Sequence, residues 1–575
     1  MKKTIIRRQT TTSVNDLPKE LHPILQHVYR NRGVQSASEL ERGLDKLLPY
    51  QQLMGIEGAM LCLYEALQQQ QRILIVGDFD ADGATSSAVA VSALRALGAG
   101  EVHYLVPNRF EYGYGLTPEI VEVAKKWQPD LIITVDNGIS SCAGVAAAKA
   151  VGIKVLVTDH HLPGAELPIA DSIVNPNQTG DVFPSKNLAG VGVIFYVMLA
   201  LRSYLREREW FTKRSIAEPN MASLLDLVAL GTVADVVPLD KNNRILVHQG
   251  LQRIRAGTAR VGIQALLTVA GRSCERLVAA DLGFAIAPRL NAAGRLDDMS
   301  LGIECLLCED PKRAQTIAGE LDALNKERRL IEEDMQQQAL QELAKLNFNN
   351  NELPYGVCLF DKSWHQGVIG ILASRLKERL HRPVIAFAPG TDGELKGSAR
   401  SIAGVHIRDV LDLIASSNPG LISRFGGHAM AAGLALEQAK YTQFAQCFAA
   451  EIAKQIGTKN LQGVIESDGE LAAADFAMPL AEALREGGPW GQTFPEPLFD
   501  GEFRVLYQRL VGNKHLKLTL GLAGQTKSFD AIAFNVDLKQ WPNHRCEQVR
   551  AAFRLDINEY QGVKNLQLVV EHLEV

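Results

Sequence analysis

The sequence predicts an α/β protein. A mostly parallel, doubly wound sheet domain is joined by a long helix to a smaller α/β domain, and a C-terminal β-barrel of the OB type follows. Three patterns carry this expectation. Apolar runs of strand length alternate with helical patterns from about residue 51 to 250, as strands linked by crossover helices do. A charged, periodic stretch with no Pro, and no Gly after Gly319, reads as one long helix. Beyond about residue 460 the chain changes to short alternating strands.

Residues 1–50 form an N-terminal extension of short helical patterns without a chemical signal. Its start, Met1-Lys2-Lys3-Thr4-Ile5-Ile6-Arg7-Arg8, is basic but lacks a long apolar stretch behind it, so it is not read as a secretory signal. No later run is long enough to span a bilayer, and no membrane partner is expected.

Residues 51–250 hold the first sheet. Strands are expected at Ile73–Gly77, Val102–Val106, Leu131–Val135, Lys154–Thr158 and Ser172–Val174, with helices at Ser86–Leu97, Pro118–Lys126 and Ala143–Val151. Acids gather where these strands end. Asp78-Phe79-Asp80-Ala81-Asp82-Gly83 ends the first, Asp136-Asn137-Gly138 the third and Asp159-His160-His161 the fourth. The carboxyl ends of parallel strands converge on one crevice, where open α/β sheets place their ligands. So many acids would repel one another unless cations lay between them. Asp235, embedded in an apolar run, is a further candidate. An oxygen-rich set with one or two imidazoles suits Mn²⁺ or Mg²⁺ better than Zn²⁺. A carboxylate shared by two ions, with Asp136 the best placed, would hold them about 3.5–4 Å apart for an in-line phosphoryl displacement. The alternative is that these acids cap helices or sit in solvent.

Residues 251–350 comprise a helical region and the long connecting helix. Leu321, Leu324, Ile331, Met335, Leu343 and Leu346 form its apolar stripe, and the 26 residues from Leu321 span about 39 Å. A linker, Asn347 to Pro354, leads into the second α/β unit, residues 351–457, with strands at Gly356–Phe360, Val384–Ala388 and Leu395–Ala399 and a helix at Val368–Glu378. Residues 458–575 carry five expected strands: Glu502–Tyr507, Leu516–Leu520, Phe529–Phe534, Val549–Leu555 and Leu566–Val570. They suit an OB-fold, with an Ig-like sandwich as the alternative.

Phosphate handles are spread over three regions. Arg109 follows the second strand, and Arg289 and Arg295 flank small residues in Ala287–Arg295. In the second unit, His365 precedes a helix start, Ser398 and Arg400 lie in Gly397-Ser398-Ala399-Arg400-Ser401, and Gly426, Gly427 and His428 lie in a glycine-rich turn. In the barrel, the basic residues Arg504, Arg509, Lys514, Lys517, Lys527, Lys539, Arg545 and Arg550 are interleaved with Phe503, Tyr507, Phe529, Phe534 and Trp541, a composition that fits a single nucleic-acid strand. A net charge of −5 neither announces nor excludes such a partner, because local grooves decide. The eight cysteines, mostly in apolar segments, suit a reducing cytosol. The spacing Cys305-Leu306-Leu307-Cys308 lacks a partner pair, so buried helix cysteines are favoured over zinc. No Walker or dinucleotide fingerprint occurs.

On the DFDADG segment, Val135-Asp136-Asn137-Gly138, Asp159-His160-His161, the Asp235 segment and Gly426-Gly427-His428, the chain resembles the DHH phosphoesterase family, over about residues 50 to 575. Within it the likeness is to bacterial exonucleases acting on single-stranded DNA. The resemblance implies metal ligation by Asp78, Asp80, Asp82, Asp136, His160 and Asp235, with His161 near the scissile phosphate and Asp159 and Asp136 in the catalytic set. It assigns Arg109, Arg289, Arg295, His365, Ser398, Arg400, Gly426, Gly427 and His428 to the substrate. It also implies two Mn²⁺ or Mg²⁺ ions, 5′→3′ release of mononucleotides, and recombination and repair alongside single-strand-binding protein and a RecQ-type helicase. Small-molecule members of the family carry a His ahead of the first Asp pair, where this chain reads Ile75-Val76-Gly77-Asp78. A cytoplasmic monomer is expected. The rivals are a DHH-type phosphatase or phosphodiesterase for oligoribonucleotides, cyclic dinucleotides or pyrophosphate, and a non-catalytic nucleic-acid-binding scaffold.

Overall fold

The computed structural model describes residues 3–9, 16–108, 112, 114–345, 353–390, 393–457, 463–512, 514–522, 524–560 and 562–575. It divides into two compact units. One comprises Arg7–Ala323 with Glu466–Val575, the other Met1–Ile6 with Leu324–Ile465.

The extension begins with β1 (Lys3–Arg7), which pairs with a later strand, so it is not helical throughout. The larger unit is built on five parallel strands, β2 (Ile73–Gly77), β3 (Val102–Leu105), β4 (Leu131–Val135), β5 (Lys154–Thr158) and β6 (Ser172–Val174), in the order β3-β2-β4-β5-β6. Every residue of β2 and β4 is buried, which is why they read as unbroken apolar runs: a parallel sheet is covered on both faces. Helices α1 (Ala81–Ala96), α2 (Pro118–Ala124) and α3 (Cys142–Ala150) make the crossovers. The chain leaves β2 for β3 on one side and returns to β4 on the other, so the order reverses between β2 and β4. That reversal opens a crevice at their carboxyl ends. Further helices, among them α4 (Gly190–Glu207), α5 (Leu225–Ala234) and α6 (Ala287–Leu296), pack on this core.

α7 (Pro311–Lys345) is a single element, as the long connecting helix was expected to be. In the smaller unit, β7 (Val357–Phe360), β8 (Val384–Pro389), β9 (Glu394–Arg400), β10 (Arg424–Gly427) and β11 (Ala431–Glu437) form a mixed sheet in the order β10-β11-β9-β8-β7. Helices α8 (Ile369–Leu380), α9 (Ile407–Ser417) and α10 (Tyr441–Ile456) accompany it, and Phe387, Phe444 and Phe448 sit in its core. The glycine-rich turn at Arg424–Gly433 is therefore a hairpin of two strands.

After β12 (Gly463–Ser467, the partner of β1), the C-terminal strands β13 (Phe499–Val511), β14 (His515–Leu522), β15 (Ser528–Ala533), β16 (Gln548–Tyr560) and β17 (Val563–Glu574) close into a barrel ordered β13-β14-β15-β17-β16. Closure selects the OB-type architecture over the sandwich. Within the larger unit, a short helix (Pro23–Asn31) is tied to the segment ahead of the barrel. Arg32 makes a bidentate pair with Asp468 at 2.8 and 3.0 Å, both side chains at most 1 % exposed. Asn31 and the Leu498 N–H also donate to that carboxylate, and the Arg32 Nε–H donates to the Pro495 carbonyl. No helix among the described residues is long and apolar enough to cross a membrane.

Candidate metal centre and phosphate-binding groups

The acidic loop after β2 runs directly into α1, which begins five residues before the expected Ser86. Asp80 is its N-cap, accepting from the N–H groups of Asp82 (2.9 Å) and Gly83 (3.0 Å). Asp82 therefore lies in the first helical turn, 1 % exposed, and meets a second helix end. Its two oxygens accept from the Gly190 N–H (2.7 Å) and the Val191 N–H (2.9 Å) at the start of α4, where the helix dipole favours negative charge. Asp136, just past β4, has a left-handed backbone (φ 61°) and is 2 % exposed. Helix α4 can approach it because residue 190 is glycine: a Cβ there would stand 2.5 Å from the Asp136 Cβ.

From β5 comes His160, whose Nε2 lies 3.1 Å from Asp136, 3.4 Å from Asp235 and 3.9 Å from Asp82. Asp235 arrives from the C-terminal end of α5. Potential ligand atoms fall into three overlapping groups, each within 4.8 Å: Asp78, Asp80 and Asp136; Asp82, His160 and Asp235; and Asp136, His160 and His161. Six of the sequence-derived ligand candidates thus come together at the β2/β4 switch point, with Asp136 and His160 each shared by two groups.

Asp159, placed in the catalytic set from sequence, is in none of these groups. It is 1 % exposed and faces His161: one oxygen is 2.7 Å from His161 Nδ1 and also accepts the N–H groups of His160 and His161, while the other accepts the Ile139 N–H. Burial alone would raise the Asp159 carboxyl, but the hydrogen bond and positive charge of His161 hold it below the usual range. Burial would lower the His161 imidazole, yet the hydrogen bond and charge of Asp159 carry it up to about 9. Asp159 therefore fixes the orientation of His161.

The buried acids move the other way. Burial, then the neighbouring Asp80, pushes Asp82 up to about 7. Asp136 and Asp235 are raised well above ordinary carboxylates, first by burial and then by Asp82 and the other acids. Carboxylates crowded this closely stay ionised together only with cations among them. The donors are five carboxylates and one or two imidazoles with no sulfur, which fits hard octahedral cations such as Mn²⁺ or Mg²⁺.

Two neighbours of the site were missed from sequence. Tyr114, 49 % exposed, donates its hydroxyl to the Asp136 carbonyl (3.2 Å), and its ring stands edge-on to both His161 and Phe79. Asn137, fully buried, donates to the carbonyls of Val76 and Val135 and so stitches β2 to β4 beside the site. Tyr114 lies five residues after Arg109, and Asn137 lies inside Asp136-Asn137-Gly138, both close to residues the sequence had singled out.

The phosphate handles divide. Arg109 lies outside the described residues. Arg289, 9 % exposed, is engaged inside the unit by Asp322 (2.8 Å), an acid 33 residues on. Arg295 follows Gly294, where α6 touches the acidic loop at the Phe79 carbonyl, and Asn291 of the same helix accepts the Ala81 N–H. In the smaller unit, Ser398 and Arg400 are bonded to each other (3.0 Å) and stand over the start of α8 at Gly370. His365 Nδ1 accepts the Gly367 N–H just before that helix. Gly426 lies in register with Gly433 and, through it, Ser398, while Gly427 falls on the adjacent row and His428 in the hairpin turn. In the barrel, Phe503, Phe529 and Trp541 are core, whereas Tyr507 and Phe534 are more than half exposed.

Comparison with known proteins matches this architecture. The DHH family, N-terminal domain, matches residues 72–232, the DHHA1 domain residues 352–455, and the RecJ OB domain residues 467–572. The chain is 56 % identical over 568 residues to the single-stranded-DNA-specific exonuclease RecJ of Escherichia coli (strain K12), covering 99 % of this chain and 98 % of the relative. It is 52 % identical to the protein of that name in Haemophilus influenzae, covering 100 % and 99 %. Among solved structures it is similar to RecJ in complex with Mn²⁺ from Thermus thermophilus, with a TM-score of 0.79 at 30 % identity, covering 99 % of this chain and 80 % of that one. A Mg²⁺ complex of RecJ from the same organism gives 0.74 at 29 % identity, covering 99 % and 78 %.

Proposed function

The chain belongs to the RecJ family of single-stranded-DNA-specific exonucleases, and on that premise we propose how its residues divide the work. It is a metal-dependent exonuclease that hydrolyses the phosphodiester bonds of single-stranded DNA, with Mn²⁺ or Mg²⁺ as cofactor. The observation that carries this reading is the convergence of Asp78, Asp80, Asp82, Asp136, His160 and Asp235 at the switch point of the parallel sheet.

Asp78, Asp80 and Asp136 would hold one ion and Asp82, His160 and Asp235 the other, with Asp136, 3.1 Å from His160, placed to serve both. Two such ions, when bound, supply an activated water and neutralise charge on the attacking and leaving oxygens. Asp159 orients His161, which meets the scissile phosphate. Arg295 sits beside the acidic loop and serves the same strand, while Ser398, Arg400, His365, Gly426, Gly427 and His428 bind backbone phosphate; backbone N–H groups at the start of α8 suit an anion. Arg109 belongs to the same set. Arg289, engaged by Asp322, acts by fixing α6 rather than by touching DNA.

The domains are an N-terminal extension (1–50), the DHH catalytic domain (51–250), a helical region with the connecting helix (251–350), the DHH-associated substrate-binding domain (351–457) and the OB-fold (458–575). The three family matches fall within the second, fourth and fifth of these bounds. Degradation runs 5′→3′ to mononucleotides in recombination and repair. An enzyme that accepts only single strands needs its substrate unwound and uncovered, which makes a RecQ-type helicase and single-strand-binding protein its natural partners. The protein acts as a cytoplasmic monomer; eight unpaired cysteines support the compartment.

The test is release of labelled nucleotides from strands labelled at either end, with Mn²⁺, Mg²⁺ or EDTA. Release from the 5′ end of single strands, absent in EDTA, is expected. Asp136→Ala should abolish release and leave strand binding largely intact; retained turnover would overturn the assignment.

A further inference from the structure

Within the larger unit lies a cavity of about 710 Å³ that the mechanism above does not use, inside the range of about 300–1,000 Å³ in which proteins enclose small ligands. Thr232, Val236, Arg255, Phe284, Trp490 and Arg554 are among its walls. It adjoins the metal centre, because Val236 directly follows Asp235.

Two backbone irregularities present apolar side chains there. Val236 has φ 60°, a conformation that β-branched residues rarely adopt, and stands 62 % exposed. Leu282–Ile286 forms a π-helical turn, a rare device frequent at functional sites, and holds Phe284 80 % exposed. Gly283 lets that turn rest on α5: a Cβ there would lie 3.2 Å from the Val233 side chain. Phe284 is thereby anchored beside the helix that delivers Asp235.

The polar groups of the cavity point to a ligand as well. The Thr232 hydroxyl, on a side chain 1 % exposed, has no hydrogen-bond partner among the described residues. Arg485 and Arg554 are matched by Asp556 and Glu496, but Arg255 has no carboxylate within ion-pair distance among the described residues. An exposed ring and a guanidinium without an ion pair are what an unpaired nucleotide can use: a base face to stack and a phosphate to neutralise.

We propose that this cavity is a nucleobase subsite for the part of the strand still attached at the metal centre, with Phe284 stacking on the base, Val236 packing its edge and Arg255 meeting the backbone. The proposal rests on the exonuclease reading. A base inside a duplex is covered on both faces by its neighbours and cannot reach Phe284. An unpaired base can turn out onto it, so the subsite contributes to single-strand specificity.

The experiment uses the full-length protein with Mn²⁺ and two substrates, a 20-nucleotide single strand and a 5′-phosphorylated dinucleotide that spans only the metal centre. For Phe284→Ala, the ratio of kcat/KM on the 20-mer to that on the dinucleotide should fall about tenfold, and Phe284→Trp should restore it. Arg255→Gln should lower the same ratio and flatten the salt dependence of strand binding. A 2-aminopurine base near the 5′ end should be quenched on binding the parent protein and less so on binding Phe284→Ala. An active parent whose ratio ignores both Phe284→Ala and Arg255→Gln would overturn the subsite and leave the cavity to a protein partner. A parent inactive on both substrates would overturn the exonuclease reading, and the subsite with it.

Discussion

The left-handed backbone of Asp136 costs about 1–3 kcal/mol. Burying a single Val, Leu or Ile side chain contributes about as much, and β2 and β4 bury theirs completely, so the sheet can hold this carboxylate where four others already crowd it. The crowding sets a pH dependence. An unfolded Asp loses its proton near 3.8, whereas Asp82 keeps it up to about 7 and Asp136 and Asp235 are raised too. Between these limits the three acids hold more protons in the folded metal-free protein than in the unfolded chain, so their contribution to stability falls as pH rises from about 4 to 7. A divalent ion takes the deprotonated form. Saturating Mn²⁺ should therefore raise Tm more at pH 8 than at pH 6, and its Kd should be lower at the higher pH. Calorimetry and titration at the two pH values check this; equal gains would contradict it. Asp159 lies outside the three ligand groups and faces His161. Asp159→Asn should lower kcat about 10- to 100-fold, as loss of an orienting partner does, with KM for the strand and Mn²⁺ affinity close to the parent's.

Helix α4 tests the argument at the level of elements, because its first residue fits against Asp136 only as glycine. Gly190→Ala should destabilise the protein by about 1–3 kcal/mol through overpacking and weaken Mn²⁺ binding, measured by denaturant melts and metal titration. An unchanged Mn²⁺ affinity would show that Asp136 can move without consequence. The strands of the parallel sheet were legible in the sequence because burial on both faces writes an unbroken apolar run. The start of α1 was misread because Asp80 and Asp82, noticed as ligands, are also its cap and first turn. The hairpin of β10 and β11 was read as a turn: its Gly and Ala residues lack the branched side chains that announce strands. At the site, strand-end acids could be placed from pattern alone. The capture of Arg289 by Asp322 and the separation of Asp159 from the ion groups depend on where side chains turn in space, and spacing carries no record of that.

Across the whole molecule, a net charge of −5 hides basic residues that stand out on the barrel, such as Arg509 and Lys514. If these meet DNA backbone, replacing each with Gln should make the plot of log K against log salt shallower by about 0.7 per contact, since single strands release that many counterions per phosphate. An unchanged slope would exclude this face of the barrel from the strand's route. The bidentate pair between Arg32 and Asp468 has a consequence for how the protein is made. The two residues are 436 positions apart, so at about 5–20 residues per second a ribosome delivers the carboxylate roughly 20–90 s after the guanidinium. For that interval the helix Pro23–Asn31 is followed by a cation it cannot bury, and this segment cannot settle before Asp468 has been made. A ribosome that stalls short of the barrel should leave a nascent chain whose beginning is open to proteases, which would mark unfinished copies for removal.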